Sequence, residues 1–430
     1  MRSVTPEILG SAFVKNVITL GSGNLIAQVI TVASAPVISR LFEPAHFGVL
    51  AVFVSISSFI TVISSMTYEQ AIVLPSENTN ALNVLVFSFA ILFLTCSLCA
   101  VAALLFSPYF ADALGSSELE FWLLFVPVAV FLRGAIAILR NWFVRQKSFR
   151  DLAAAGVLRS AVTVLGKIGA GFIIGAFTGG LIATTIIGTL AASLYMSFRA
   201  LHARPHITLT EINYRSMIEQ ASRYRRFPIY FSFTALLNSV SQEIVVLLFA
   251  FLYSPAVVGL FHLSRKILQQ PTLFISKSVS DVYFQKAAQQ TSDGQDLARG
   301  FLRTTMGLAL LAVVPFGFVA AFGRPFFSFV FGSNWAEAGF YAQILSPWLF
   351  FLFINRPANA IFLVQQKMEM LFIYNVAIML ARCAAVFSGY YFFKTASASL
   401  ALFSAVGVAF NLFYVLYAYR LTTRLRRTAA

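Results

Sequence analysis

The sequence predicts an all-α polytopic membrane protein of about twelve transmembrane helices, organised as two six-helix lobes around a central cavity. Three observations predict it: an apolar composition, the regular recurrence of long apolar runs, and an echo of the first half of the chain in the second. Of the 430 residues, 59% are hydrophobic and 11% are charged, and the mean hydropathy is +0.81. Soluble chains carry about 25% charged residues. No soluble domain of this size hides so much apolar surface, so lipid is the solvent for most of this chain.

The apolar runs come first, because the rest depends on them. Windows of about twenty residues place spans in the first half near 14–38, 47–67, 81–106, 119–140, 153–176 and 179–198. In the second half they fall near 228–252, 256–276, 301–322, 338–362, 370–392 and 397–419. The first run is too long for a removable signal peptide and lacks its small-residue cleavage pattern, so the amino terminus is expected to be kept.

The formal net charge of +15 is a matter of topology rather than of a nucleic-acid partner. Lys and Arg cluster in the even-numbered connections and at the termini: Arg140 to Arg150, Arg199 to Arg226, Lys277 to Arg303, Lys367, and Arg420 to Arg427. The odd-numbered connections hold only Arg40, Arg324 and Lys394, and the one after span 3 is acidic, with Asp112, Glu118 and Glu120. By the positive-inside rule both termini are expected in the cytoplasm, with membrane lipids around the spans.

The internal echo divides the chain. Leu41 to Gly48 reads LFEPAHFG and Leu252 to Gly259 reads LYSPAVVG, a shift of 211 residues from Pro44 to Pro255, each between the first and second span of its half. Pro127 precedes Gln146 and Lys147 by the interval at which Pro347 precedes Gln366 and Lys367. Asn24 with Gln28 in span 1 is a weaker match to Asn238 with Gln242 in span 7. Together these favour duplication. The expected organisation is an amino-terminal lobe over 1–198, a cytoplasmic linker over 199–227 and a carboxy-terminal lobe over 228–430. Six spans per half make the copies parallel, related by an axis along the membrane normal, with a substrate path between the lobes.

Ionisable side chains inside spans are costly and normally face protein or water. The intramembrane set is mainly cationic. Arg133, Arg356 and Lys167 lie deep, and Arg382 falls in span 11, whereas Arg159, Arg265 and Lys266 sit where snorkelling suffices. Arg133 and Arg356 follow the matching prolines Pro127 and Pro347, so a basic lining contributed by both halves is expected, suited to phosphates that guanidinium binds in a bidentate fork. An exporter of lipophilic cations would need the reverse. Two carboxylates stand out. Glu69 follows span 2, and Glu243 lies in span 7 on the polar stripe of Asn238 and Gln242. Each is either a proton carrier with a raised pKa or the partner of a neighbouring Arg, simple exposure at the cytoplasmic face is a further reading for Glu69, and Glu243 is also a candidate sugar ligand. Asn24, Asn238 and Gln242 complete the candidate substrate-binding set.

Span 1 carries Gly21, Ser22, Gly23 and Asn24 mid-helix, consistent with a hinge or with close packing. In spans 5 and 6, Gly166, Gly169, Gly171, Gly175, Gly179 and Gly180 point to close packing. Cys96, Cys99 and Cys383 read as packing thiols, and His46, His202, His206 and His262 are scattered, so no metal site is expected. No phosphate-binding glycine loop and no pair of catalytic carboxylates is present. The sequence therefore predicts a transporter rather than an enzyme, without a cofactor. A membrane glycan polymerase or ligase, the alternative from another class, would typically carry a large periplasmic loop; the outer connections here are short.

The segment LFEPAHFGVLAVFVSISSFITVISSMTYEQAIVLP, Leu41 to Pro75, resembles the polysaccharide transporter family, the O-antigen and exopolysaccharide flippases of the multidrug/oligosaccharidyl-lipid/polysaccharide exporter superfamily. The likeness rests on Pro44, Phe47 and Gly48 and on Tyr68, Glu69, Ala71, Ile72, Leu74 and Pro75; it extends over the whole chain in topology and over about the first 150 residues in motif. It implies two six-helix lobes forming a V about a cationic cavity. It also implies flipping of undecaprenyl-pyrophosphate-linked repeat units from the cytoplasmic to the periplasmic leaflet. A proton or sodium ion for coupling, and a polysaccharide polymerase and assembly proteins as partners, are expected beside it. A lipid II flippase, which normally has further spans, and a multidrug antiporter, which would be expected to hold acids in its lobes, are the alternatives within the superfamily.

Overall fold

The computed structural model describes residues 11–202, 212–292, 297–365 and 367–428, and among these there is no strand. The chain forms α1 (Ser11–Leu41), α2 (Pro44–Ile63), α3 (Asn78–Ala113), α4 (Ser117–Leu123), α5 (Val126–Arg145), α6 (Phe149–Ile173), α7 (Thr178–His202) and α8 (Tyr214–Arg223). It continues with α9 (Ser232–Leu252), α10 (Pro255–Ser292), α11 (Leu297–Phe331), α12 (Ala336–Ile354), α13 (Arg356–Val364), α14 (Met368–Phe393) and α15 (Ala396–Thr428). Among the described residues, eleven helical segments are long and apolar enough to cross a membrane. The remaining expected span, 256–276, falls in α10, a 38-residue helix that carries Arg265, Lys266 and Gln269 and is not among the eleven. Several helices outrun their apolar windows: α3 has 36 residues and α11 has 35, whereas about 20 residues span the hydrocarbon.

Two compact units are present, one of residues 1–42 and 49–243, the other of residues 43–48 and 244–430. These units and the expected halves are different divisions of the chain. The connection expected over 199–227 includes 203–211, which lie outside the described residues; its remainder carries α8, which packs on α3 within the first unit. There Tyr68 donates its hydroxyl to the Ala221 carbonyl at 3.1 Å, and the Asn213 amide donates to Asn83 at 3.1 Å.

In the first unit, α1, α6 and α7 are held at close range by glycine. A Cβ on Gly23 would lie 2.4 Å from that of Ala153, and one on Gly188 would lie 1.9 Å from the Thr163 hydroxyl. Gly23 is thus a packing residue in span 1, while Gly21 has nothing within 4 Å of an added Cβ. Leu139, Phe143, Leu152, Ala155 and Met196 form a buried cluster against which Leu20 and Tyr195 pack.

The second unit takes Glu43 to Gly48 from the first half of the sequence, and the reason is the repeated motif. Pro44 and Pro255 each open a helix, where the absent N–H costs nothing. The two helix starts dock reciprocally: a Cβ on Gly48 would lie 1.8 Å from the Pro255 carbonyl oxygen, and one on Gly259 would lie 1.8 Å from that of Pro44. Only glycine permits two backbones to approach so closely. Phe47, in the same motif, packs edge-on against the buried Trp335 ring at 5.0 Å.

The second proline echo is not reproduced in structure. Pro127 sits in the first turn of α5, but Pro347 lies inside α12, which ends at Ile354 so that Arg356 opens the separate helix α13 with Pro357 in its first turn. Gln366, the far end of that echo, lies outside the described residues.

Candidate functional site

In the first unit, α2 carries Ser55, Ser57 and Ser58 along consecutive turns. Buried Ser57 donates back to the Phe53 carbonyl at 2.7 Å. The other two, three residues apart and so on one helical face, turn outward to charged partners. Arg133, on α5, donates through Nη1 to Ser58 Oγ at 2.8 Å and to the Val54 carbonyl at 3.5 Å. Its Nε and Nη2 make no hydrogen bond among the described residues. Ser55 donates to Glu243 Oε2, on α9, at 2.6 Å. The Glu243 carboxylate and the Arg159 guanidinium of α6 both act electrostatically on Arg133. Two guanidiniums against one carboxylate leave the cluster with a net positive charge and with donors to spare, an arrangement that favours an anion.

The Glu243 carboxylate accepts a bond from a serine hydroxyl and lies in the field of an arginine. Arg159, which sits where snorkelling suffices, is exposed on α6 and acts electrostatically on Arg133. A signal was present, since Arg159 shares span 5 with Lys167, but its neighbour lies on another helix and no spacing links them. Lys167 is half-buried on α6, and Asn24, Asn238 and Gln242 are exposed on α1 and α9.

Glu69 lies beyond the end of α2, in a 3-10 turn over Tyr68–Val73. Met66 and Thr67 precede it in left-handed backbone, at φ 50° and 56°, a region that strains a β-branched residue. The Thr67 side chain offsets part of that cost, donating to the Phe227 carbonyl at 3.2 Å and meeting the Ser232 hydroxyl at 3.0 Å. Arg145 clamps the far end of the turn, donating to the Pro75 carbonyl at 2.5 Å, to the Ser76 carbonyl at 3.3 Å and to Asn78 at 3.2 Å. Burial raises the Glu69 carboxyl above the ordinary carboxylate range, opposed by the bond that Ser65 donates to it at 2.5 Å. The residues that carry the family resemblance thus build a hydrogen-bonded knuckle around one half-buried acid.

In the second unit, Arg356 lies in the electrostatic reach of Tyr414. Tyr414 donates to Asn359 Oδ1 at 2.6 Å and stacks on Phe362 at 4.5 Å, and Asn355 donates to Asn411, which donates to the Gly407 carbonyl at 2.6 Å. The Arg356 Nε is shielded and without a hydrogen-bond partner among the described residues. Arg382, on α14, is enclosed between the Trp348 and Phe403 rings. Among the described residues no group of three or more His, Cys, Asp or Glu could hold a metal ion.

A family profile described as polysaccharide biosynthesis protein matches residues 37–339, well over half of the chain. The chain belongs to that family. No curated protein sequence matches this polysaccharide biosynthesis protein significantly. Its fold is that of solved transporters. The lipid II flippase MurJ in its inward closed conformation superposes with TM-score 0.73 at 11% identity, covering 96% of this chain and 90% of that one. An inward-facing multidrug resistance MATE family transporter of the MOP superfamily gives 0.69 at 13% identity, covering 97% of this chain and 100% of that one. A MOP superfamily transporter from Pyrococcus furiosus, described as having a binding pocket of reverse polarity, gives 0.56 at 14%, covering 96% of each chain. At such identities the likeness is one of fold. This polysaccharide biosynthesis protein is a multi-pass membrane protein with the MOP transporter fold.

Proposed function

We propose that the protein is a flippase that moves undecaprenyl-pyrophosphate-linked oligosaccharide repeat units from the cytoplasmic to the periplasmic leaflet of a bacterial inner membrane, with both termini in the cytoplasm. The observation that carries this is the Arg133 cluster: a guanidinium anchored to Ser58 through Nη1 alone, with Arg159 adding a second positive charge, in a chain of a polysaccharide biosynthesis family. The spare donors of Arg133 match the oxygens of a pyrophosphate or an acidic sugar. Arg356 serves the same substrate from the second unit. Lys167, Asn24, Asn238 and Gln242 are polar positions for the glycan, whose hydroxyls need donors and acceptors but no charge.

Coupling is assigned to Glu69 and Glu243. Burial raises the Glu69 carboxyl and so favours its protonated form, which suits Glu69 to carry a proton. Alternating access then moves the glycolipid against the return of that ion. The MurJ likeness leaves lipid II as a second substrate of the same chemical class. An exporter of lipophilic cations is disfavoured because guanidiniums outnumber carboxylates in the Arg133 cluster.

The test is surface glycan in cells carrying Arg133→Glu with Arg356→Glu, with the membrane level of each variant checked. Loss of surface glycan at normal protein level is expected. Undiminished export would remove both arginines from the path. For coupling, glycan-dependent proton flux into vesicles is expected to fall in Glu69→Gln or Glu243→Gln, and flux unchanged in both would exclude them.

A further inference from the structure

The segment between the expected halves carries a surface that the flippase reading does not use. α8 runs from Tyr214 to Arg223, and Asn213 caps it, its side chain accepting from the Arg215 amide at 2.9 Å. At about 3.6 residues per turn, Met217, Ala221, Tyr214 and Ile218 fall side by side in one apolar strip. The protein covers only part of that strip. Met217 and Ala221 are half-buried on the side where α8 packs on α3, whereas Tyr214 is 76% exposed and Ile218 47%.

Charges border the uncovered part. Between Tyr214 and Arg226 stand four arginines, Arg215, Arg223, Arg225 and Arg226, against one acid, Glu219, and all five are exposed. Among the described residues none of these arginines belongs to an ion pair. The Arg223 guanidinium lies 5.8 Å from the ring centroid of its neighbour Tyr224. A helix facing water alone gains nothing by exposing a tyrosine and an isoleucine. One that shows them beside arginines fits a boundary that is apolar on one side and anionic on the other.

The bilayer supplies that boundary at this point of the chain. The Asn213 amide donates to Asn83, in the second turn of the membrane-crossing helix α3, which begins at Asn78. The next span begins at Phe227, directly after Arg226. The arginines therefore sit where two spans leave the hydrocarbon, at the depth of lipid headgroups, where tyrosine is also favoured. Guanidinium binds phosphate oxygens in a fork, and a headgroup with net negative charge holds it better than a zwitterionic one.

The same segment holds the turn that carries Glu69. Tyr68 donates to the Ala221 carbonyl of α8 at 3.1 Å, and Thr67 to the Phe227 carbonyl at 3.2 Å. Whatever seats α8 also seats that turn.

We propose that α8 binds the headgroups of acidic phospholipids through Arg215, Arg223, Arg225 and Arg226, with Tyr214 and Ile218 inserted beneath them, and that this contact steadies the turn at Glu69. The leaflet is the cytoplasmic one on the orientation proposed above. The contact itself requires neither that orientation nor the glycolipid.

The test is hydrogen–deuterium exchange of the full chain in nanodiscs, whose two open faces leave α8 accessible in either orientation. One set holds phosphatidylcholine alone and the other phosphatidylcholine with phosphatidylglycerol, at equal ionic strength. With phosphatidylglycerol the α8 amides are expected to exchange about tenfold more slowly or better, since each basic residue near an acidic surface adds about fivefold in binding. The amides of Tyr68–Val73 should slow with them. Arg215→Gln, Arg223→Gln, Arg225→Gln and Arg226→Gln together should abolish the difference, and lysine at the same four positions should keep most of it. Ile218→Asp should weaken it several-fold. Tyr68→Phe should release the turn while α8 stays protected.

Gel filtration and thermal melting establish that each variant is folded; if the fourfold glutamine variant is not, Arg215→Gln with Arg223→Gln carries the test and should cut the difference several-fold. Equal exchange in the two lipids would overturn the proposal. So would a difference that survives undiminished in the folded glutamine variant, because acidic lipid would then act elsewhere. Equal slowing by inorganic phosphate in phosphatidylcholine alone would assign the arginines to a soluble anion and overturn the lipid reading. Slowed α8 exchange beside an unchanged turn would overturn the link to Glu69.

Discussion

The internal repeat keeps its symmetry in one region of the molecule and loses it in another. At the paired helix starts, Gly48 meets the Pro255 carbonyl and Gly259 meets the Pro44 carbonyl at the same 1.8 Å Cβ distance, so each copy of the motif fills the role of the other. At the paired arginines nothing matches. Arg133 stands inside one continuous helix and bonds a serine, while Arg356 opens a new helix after a break and lies in the electrostatic reach of a tyrosine. Backbone contact at van der Waals limits tolerates no side chain on either partner, which preserves both motifs. Side chains that bond through their own polar atoms have no such constraint and are free to diverge. The difference separates residues that hold the fold by backbone contact from residues whose surroundings the two copies do not share.

Breaking the symmetric region should have the largest effect. Gly48→Ala and Gly259→Ala each place a methyl group inside a backbone carbonyl, and overpacking of that kind costs about 3 kcal/mol or more. The two variants should lower the melting temperature by similar amounts, and unequal shifts would show that the docking is not reciprocal in its energetics. Next comes Arg133→Glu, expected to reduce glycolipid flipping at least tenfold, about 1.4 kcal/mol in barrier, with little change in melting temperature. Ser58→Ala removes one hydrogen bond to a charged group and should cost about 1.5 kcal/mol or less of Arg133 anchoring, seen as a few-fold loss of flipping that Ser58→Thr restores. The smallest effect sharpens the contrast from the other side. Gly21 has open space, so Gly21→Ala should stabilise by roughly 0.5–1 kcal/mol through helix propensity alone.

The pH dependence follows from Glu69. Its carboxyl is raised by burial, so the stability it contributes is present at low pH and lost as pH rises through the raised value. The melting temperature should fall over that range, and Glu69→Gln should flatten the curve. A fall that persists unchanged in Glu69→Gln would place the titrating group elsewhere.

Eleven of the twelve expected spans, the repeated Pro-to-Gly motif and the depth of Arg133 were legible in the sequence, because hydropathy and the Pro-to-Gly spacing are local signals. The break at Asn355 was not, since Pro347 and Pro357 both fall within one apolar run and either could have marked it. The knuckle at Glu69 appeared as a motif without a shape: the left-handed Met66 and Thr67 carry no glycine to announce them, and Arg145, which clamps the turn, is distant in sequence. Arg382 was visible as a charge in a span. Its cage was not, because Trp348 and Phe403 reach it from two other helices and aromatic residues are too frequent in this chain for any one to stand out.

The central claim is that Arg133 contacts the anionic part of a lipid-linked glycan during flipping. Its most direct test is the rate at which the purified chain, in proteoliposomes, moves a pyrophosphate-linked oligosaccharide lipid between leaflets. The account predicts acceleration over protein-free vesicles, at least a tenfold loss in Arg133→Glu and partial recovery in Arg133→Lys. Full-rate flipping by a well-folded Arg133→Glu would contradict it.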